Sequence, residues 1–482
     1  MHVRFLLNNQ IVEVGDVSPT MSVLTYLRTR QRRCGTKEGC AEGDCGACTV
    51  VIGELHEGDV TLNAVNACIQ FLPTLDGKAL FTVEDLRGHD GSLHPVQQSM
   101  VDCHASQCGF CTPGFVMSLW ALYLQSPGVP ANDGEVRQAI TGNLCRCTGY
   151  RPIIEAGKKM GTYPVATLDR AALKSQLLAL QRIGPLHYAF GGQRFFAPRT
   201  LEELVDLRAQ YPQATLLAGG TDVGLWVNKQ LRLLDNVIYT GEVDALKEIG
   251  ERDGVIRIGA AVSLSAASVA LCLQYPETRE IWERFASMPI RNVGTLGGNI
   301  ANGSPIGDSM PALIALGATV TLASKGNQRT LALEDLYLGY QHQAMRPDEV
   351  VVSVNIPKRD AALQFRTYKI SKRFDSDISA VCAAFALRLN GDVITRARIA
   401  FGGMAATPLR ALKTEAVLHG KKWNDNTLQQ ALACLADEFT PLSDFRASRE
   451  YRATVAGNLL KRFYLETRDD VPLAPTAVSV FA

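Results

Sequence analysis

The sequence predicts an α+β protein of several domains, and three observations carry that reading. The chain has 482 residues, about three times the usual size of one domain. Short β-like runs and helical stretches succeed one another along it. Eight of its thirteen cysteines fall in two four-thiol sets within the first 150 residues. Shifts in this texture divide the chain into residues 1–85, 86–164, 187–358 and 362–470, with a connector over 165–186.

The first segment reads as a small β-rich unit. Apolar runs at residues 3–7 and 11–14 flank Asn8-Asn9-Gln10, a hairpin signal, and residues 20–30 form a short helix. A glycine-dense loop beginning at Gly35 leads through the thiols of Cys40, Cys45 and Cys48. The second segment is helical, and four helices with short connections suggest a compact bundle. His94-Pro95 opens one helix. Thr112-Pro113 opens the next, with Thr112 as cap and proline in the first turn. Asp133 caps a third that stops near Gly142, and a fourth runs from Pro152 to Lys159. The connector holds a helical stretch over residues 169–181.

Further on, residues 215–218, 255–258 and 319–323 read as strands between glycine loops. In the last segment, residues 380–389 and 393–401 flank Asn390-Gly391-Asp392, a tight hairpin signal. Thr407-Pro408 is expected to start a helix ending at Gly420, and residues 471–482 to form a loose tail.

Composition narrows the function classes. The 46% hydrophobic and 20% charged content is that of an ordinary globular protein. A net charge of +1 offers no basic field for nucleic acid or an acidic membrane. The longest apolar run, residues 114–124, is shorter than the roughly 20 residues of a membrane helix. The N-terminus has no long apolar core and no small-residue cleavage site, so no secretory signal is expected. So many cysteines without a signal point to a reducing compartment, the cytoplasm, where clustered thiols serve as metal ligands. The five scattered thiols, Cys34, Cys103, Cys272, Cys382 and Cys434, read as small buried hydrophobes.

The clustered thiols form two sets. Cys40, Cys45, Cys48 and Cys68 are spaced C-x4-C-x2-C with a fourth thiol after nineteen residues, the plant-type [2Fe–2S] pattern. Small residues between them let the backbone wrap closely around sulfur. Cys108, Cys111, Cys145 and Cys147 are spaced C-x2-C and C-x-C. Spacing alone leaves this second set open between an iron–sulfur cluster and tetrahedral zinc. The C-x-C pair cannot share a helical face and must sit in a loop, and the set as a whole lies near two helix N-termini.

The neighbours of the second set carry a resemblance. Gln107-Cys108-Gly109-Phe110-Cys111-Thr112-Pro113-Gly114 and Gly142-Asn143-Leu144-Cys145-Arg146-Cys147-Thr148-Gly149-Tyr150-Arg151-Pro152 closely resemble the second-cluster motifs of the molybdenum hydroxylases. The resemblance implies that this set holds a second [2Fe–2S] cluster beside a molybdopterin cofactor, with Gln107 and Cys147 touching the pterin. It also implies a ferredoxin-like β-grasp domain followed by a four-helix [2Fe–2S] domain.

Two loops extend it. Leu217-Ala218-Gly219-Gly220-Thr221-Asp222-Val223 follows a strand and precedes a helix; taken alone it reads as either an ordinary turn or a pyrophosphate loop. It is not the G-x-G-x-x-G fingerprint of a Rossmann domain. Residues 292–308 form a second long glycine-rich loop. Both resemble the vanillyl-alcohol-oxidase-like FAD domain of the same family. By that resemblance residues 217–223, with Thr295, Gly298 and Asn299, hold the phosphates. Asp308 contacts ribose, Phe285 packs near the isoalloxazine, and Lys369 and residues 371–377 lie beside the flavin. Lys372 and Arg373 are candidates to admit NAD+. The last segment resembles the family's α+β flavoprotein C-terminal domain.

The order of these parts is most similar to that of the small subunit of bacterial xanthine dehydrogenases. They use up the chain and leave no molybdopterin domain. The resemblance therefore implies an electron-transfer subunit. Its partner would be a molybdenum-bearing large subunit, in an α2β2 assembly, with two [2Fe–2S] clusters, FAD and NAD+ as acceptor. Alternatives are the same architecture serving an aldehyde or N-heterocycle, a stand-alone NADH-dependent iron–sulfur flavoprotein, and a zinc-bound structural module. No Ser/His/Asp triad or H-E-x-x-H site points to acid–base catalysis.

Overall fold

The computed structural model describes residues 1–88, 90–468, 470–474 and 477. These form two compact units. The first comprises Met1–Ala245, Ser263–Ser265 and Ala286–Thr295; the second comprises the described residues of Leu246–Val262, Ala266–Phe285 and Leu296–Ala482. The predicted tail at 471–482 lies largely outside the described residues.

The first unit begins with a five-stranded sheet in the order Gln10–Val14, Val3–Leu7, Ala79–Phe81, Thr49–His56, Asp59–Asn66. Leu7 pairs with Gln10, so Asn8 and Asn9 form a two-residue turn with φ of 51° and 59°. Asparagine tolerates that left-handed backbone, and the turn's twist matches that of the strands it joins. The helix Val23–Thr29 is capped by the Ser22 side chain, which accepts from the Thr25 N–H. Cys48 and Cys68 are buried in the core beneath this sheet.

The helices Pro95–Asp102, Thr112–Tyr123, Asp133–Ala139 and Arg151–Lys159 follow. Two caps differ from expectation by one residue. Cys111, not Thr112, is the N-cap of the second helix, and the Thr112 hydroxyl instead pairs with Ser106 at 2.7 Å. Asn132, not Asp133, caps the third helix, because Asn132 and Glu135 satisfy each other's backbone N–H in a capping box. The helix Thr112–Tyr123 is buried almost throughout and forms the centre of this core with Val136, Ile153 and Met160. The connector's helix, Arg170–Leu180, belongs to the same core through Leu173, Leu177 and Leu180. The unit also holds a four-stranded sheet in the order Leu186–Phe190, Gln193–Ala197, Asn236–Tyr239, Thr215–Leu217 and the helices Leu201–Gln210, Val223–Asn228 and Met288–Val293.

The second unit holds an antiparallel sheet in the order Ile249–Arg252, Val255–Gly259, Val350–Pro357, Thr319–Ser324, Asn327–Ala332. It also holds an antiparallel sheet of Leu363–Ile370, Val381–Asn390, Val393–Gly402 and Leu409–Arg410. The long helix Arg449–Thr467 packs on this second sheet through Leu460 and Phe463. Asn390 pairs with Val393 across Gly391, whose φ is 58°.

Three expectations are corrected. Thr407-Pro408 leads into the edge strand Leu409–Arg410, and the helix starts only at Leu412; proline suits an edge, where its missing N–H costs nothing. The predicted loop over 292–308 is helical at Leu296–Asn302. Its glycines serve packing, since a Cβ on Gly297 would lie 2.5 Å from that of Ala260. Of the five scattered cysteines only Cys382 is buried; Cys34 is exposed and Cys103, Cys272 and Cys434 are half-buried. Among the described residues no helix is long and apolar enough to cross a membrane.

Candidate functional site

The first thiol set is gathered at the end of the strand Thr49–His56. The Cys40 thiol is within hydrogen-bonding reach of Cys45 and Cys68, and Cys68 of Cys48. The backbone N–H groups of Glu42, Asp44 and Cys45 donate to Cys40 Sγ at 3.5, 3.4 and 3.3 Å. The Cys45 and Cys68 thiols and these N–H donors hold the Cys40 thiol well below its ordinary pKa. Its charge then opposes ionisation of the neighbours: Cys45 and Cys68 are pushed far up, chiefly by their contact with Cys40. Four thiolates so close need a cationic centre between them, and the donor set fits an iron–sulfur cluster in that respect. Gly39 is required for the approach, since a Cβ there would lie 2.8 Å from Cys45 Sγ.

The second set is gathered in two pairs, Cys108 with Cys147 and Cys111 with Cys145. Burial pushes the Cys111 thiol up to about 12. At Cys145 burial acts the same way but is outweighed by the Thr148 hydroxyl and N–H, at 3.2 and 3.5 Å from Sγ, and the thiol is lowered. Tyr150 holds the loop: its φ is 69°, and its hydroxyl accepts the Cys145 N–H at 2.9 Å. Among the described residues no three His, Cys, Asp or Glu side chains converge on one ion. Gln107, Cys108, Phe110, Leu144 and Cys147 are all exposed.

The two sets are in direct backbone contact. The Leu144 N–H donates to the Cys45 carbonyl at 3.0 Å. A Cβ on Gly46 would lie 2.3 Å from the Gly142 carbonyl oxygen, and one on Gly114 would lie 2.1 Å from the Gly46 carbonyl oxygen. Only glycine admits either approach.

The first set also abuts the glycine loop that follows the strand Thr215–Leu217. Gln70 Nε2 donates to the Gly219 carbonyl at 2.9 Å, and Asn228 Nδ2 donates to the Cys68 carbonyl at 2.7 Å. A Cβ on Gly224 would lie 2.7 Å from the Ile69 carbonyl oxygen. Gly220 has φ of 75°, and a Cβ on Gly219 would lie 2.0 Å from the Val293 carbonyl oxygen. Leu217 and Val223 are buried at the two ends of the loop; Asp222 is exposed and Ala218 and Thr221 are half-buried. Thr295 belongs to this unit and bridges Ser263. A strand, a turn with left-handed glycine, a hydroxyl and a helix form a donor set that fits a pyrophosphate.

Phe285, Gly298, Asn299, Asp308 and Lys369 lie in the second unit. Phe285 packs edge-on to Trp282. Asn299 accepts from the Ser309 hydroxyl. Asp308 is buried, and both its oxygens are engaged, by Lys369 Nζ at 2.6 Å and by the Ser379 hydroxyl. Lys372 Nζ donates to the Phe445 carbonyl at 2.6 Å, and Arg373 pairs with Asp377.

Sequence reasoning missed Arg284. This buried guanidinium donates to the Lys369 and Phe374 carbonyls and the Ser371 hydroxyl, and lies 4.4 Å from the centre of the Phe374 ring. It organises the stretch that follows Lys369. It also pairs with Glu280 one turn back at 2.7 Å, but its other partners are 85–90 residues away in sequence, and no local pattern marks them.

Three family models match the chain: a [2Fe-2S] binding domain at residues 82–158, an FAD binding domain in molybdopterin dehydrogenase at 188–359, and a CO dehydrogenase flavoprotein C-terminal domain at 366–467. The chain is similar to the xanthine dehydrogenase/oxidase of Gallus gallus, with 32% identity over 96% of this chain and 40% of that protein. It thus spans about two fifths of that relative's length. Among solved structures it is similar to a Cu,Mo-CO dehydrogenase at 30% identity and TM-score 0.52, over 56% of this chain and 94% of the other. It is also similar to quinoline 2-oxidoreductase from Pseudomonas putida 86, at 28% identity and TM-score 0.51, over 58% and 97%.

Proposed function

Because the chain belongs to the molybdenum hydroxylase family, whose iron–sulfur and FAD parts it carries, we propose that it is the electron-transfer subunit of a cytoplasmic xanthine dehydrogenase. A separate molybdenum-bearing large subunit, in an α2β2 assembly, oxidises hypoxanthine and xanthine to urate, and this chain conducts the electrons to NAD+. Iron–sulfur clusters carry single electrons, and flavin joins single-electron supply to hydride delivery.

The observation that carries this reading is the order of the parts within the first unit: a thiol set with two exposed members, a more buried one in backbone contact with it, and a glycine loop against the second of these. Cys108, Cys111, Cys145 and Cys147 hold the cluster that faces the partner. Exposed Gln107 and Cys147 meet the pterin there, and Phe110 and Leu144 lie on the same open loops. Cys40, Cys45, Cys48 and Cys68 hold the flavin-side cluster. Residues 217–223 and Thr295 receive the FAD phosphates, and the family resemblance assigns Gly298, Asn299, Phe285, Asp308 and Lys369 to the same cofactor.

Purification with any co-eluting chain tests the proposal. It expects about four irons per flavin, two per cluster, molybdenum only when the large chain is present, and urate formation coupled to NAD+ reduction. Hydroxylation of hypoxanthine by this chain alone would overturn it. A second reading keeps the architecture and changes the substrate to an aldehyde or N-heterocycle; the similarity to quinoline 2-oxidoreductase favours it. A substrate screen of the complex separates the two.

A further inference from the structure

Asn143 is 3% exposed, and its side-chain amide is engaged at both ends. Nδ2 donates to the Gly46 carbonyl at 3.1 Å and to Thr49 Oγ1 at 3.2 Å, while Oδ1 accepts from Ser118 Oγ at 2.7 Å. Gly46 lies between Cys45 and Cys48 of the first set. Ser118 sits in the helix capped by Cys111, and Asn143 itself stands two residues before Cys145. One amide therefore ties together three segments that carry thiols. Thr49 and Ser118 are themselves 2% and 1% exposed, so the node is dry. A buried amide whose bonds are all made fixes one arrangement of its neighbours, because every alternative strands a polar group.

This node stands next to the point where the two sets touch. Leu144 follows Asn143 and gives its N–H to the Cys45 carbonyl at 3.0 Å. From Cys45 to Cys145 there is one hydrogen bond and one further residue. The close approaches of Gly46 to Gly142 and of Gly114 to Gly46 surround the same spot. The contact has no slack, and Asn143 is the side chain that clamps it.

We propose that Asn143 is a positioning residue that sets the separation and hydrogen-bonded contact between the two iron–sulfur sites. The proposal rests on the reading that both thiol sets hold clusters, and adds which side chain controls the gap between them. Transfer between fixed sites falls steeply with distance, so a clamp on Gly46 and Leu144 acts on it without touching either set of ligands.

The full chain, purified with any co-eluting partner and reduced with dithionite, supplies the test. Magnetic coupling between the two reduced sites is read as the splitting of their low-temperature EPR signals. Asn143→Asp keeps the volume and the bond from Ser118, but sets a carboxylate oxygen against the Gly46 carbonyl. Iron content and the g-values of each signal should persist while the splitting between them shifts. Ser118→Ala leaves Nδ2 in place and should give a smaller shift in the same direction. If Asn143→Asp loses iron, Ser118→Ala decides alone. An unchanged splitting in every variant that keeps its iron overturns the proposal. A wild-type chain with fewer than two iron–sulfur signals removes the underlying reading, and the proposal with it.

Discussion

The Lys369 ammonium lies 2.6 Å from the Asp308 carboxylate, with the two side chains only 1% and 3% exposed. Lys369 also donates to the Arg284 carbonyl at 3.0 Å, and the second Asp308 oxygen takes the Ser379 hydroxyl. Removing one member of such a buried pair strands the other's charge and costs about 3–5 kcal/mol, whereas removing both costs less. Lys369→Met should therefore destabilise the chain more than Lys369→Met with Asp308→Asn. Urea unfolding measures the difference; a double variant as unstable as the sum of the two single ones would contradict the pairing.

Arg284 should hold the stretch from Lys369 to Phe374 against local opening. Arg284→Ala removes its donated bonds and the contact with the Phe374 ring. A local loss of about 1.4 kcal/mol raises the open population about tenfold. Trypsin should then cut after Lys372 and Arg373 correspondingly faster. An unchanged cleavage rate would show that the stretch is held elsewhere.

His94 should make the helical part sensitive to mild acid. Its Nδ1 accepts the Val96 N–H at 3.2 Å as the cap of Pro95–Asp102, and burial lowers its pKa to about 4. The folded state thus binds the proton less readily than the unfolded chain, whose histidine titrates near 6.5. The contribution is complete above about pH 6.5 and is lost as pH falls toward 4, to a total of about 2–3 kcal/mol. His94→Asn, which retains a capping oxygen, should flatten the slope of unfolding free energy between pH 7 and 5. An identical slope in the variant would rule His94 out as its source.

Gly114→Ala should disrupt the junction of the thiol sets. Its Cβ would fall 2.1 Å from the Gly46 carbonyl oxygen, and neither backbone can yield easily. Overpacking of this kind costs about 1–3 kcal/mol or more. Iron content should fall, whereas Gly250→Ala, where a Cβ meets nothing within 4 Å, should leave it unchanged. Metal analysis of both variants decides.

Cys68→Ser should separate the two proposed clusters. Cys68 is buried and its thiol contacts Cys40 and Cys48. One EPR signal should vanish, about half the iron should be lost, and flavin reduction by substrate of the complex should stop while NADH still reduces the flavin directly. Retention of both signals would place the ligands elsewhere.

Local rules were the most legible. The Asn8-Asn9 turn and the Gly391 turn follow from the left-handed backbone those positions require. Both predicted caps shift by one residue: Asn132 has Glu135 as its reciprocal partner, whereas Cys111 takes the N-cap position with no side-chain bond and Thr112 turns to Ser106. Glycines at 296–302 signal a loop in isolation, whereas against Ala260 they allow a helix to pack closely. The long-range bonds of Arg284 and Asn143 have no local mark. The Asn143 bond to Gly46 spans 97 residues.

The sequence by itself marked two sets of four thiols and the alternation of strands and helices. Ligand spacing, turn backbone and apolar periodicity are properties of a few consecutive residues. Only the tertiary structure decided that Leu144 meets Cys45, that Gln70 reaches the Gly219 carbonyl, and that Lys369 closes on Asp308. Each joins groups far apart in the chain; close packing that admits only glycine brings the first two together, and the burial of both charges, which leaves each to be neutralised by the other, holds the third.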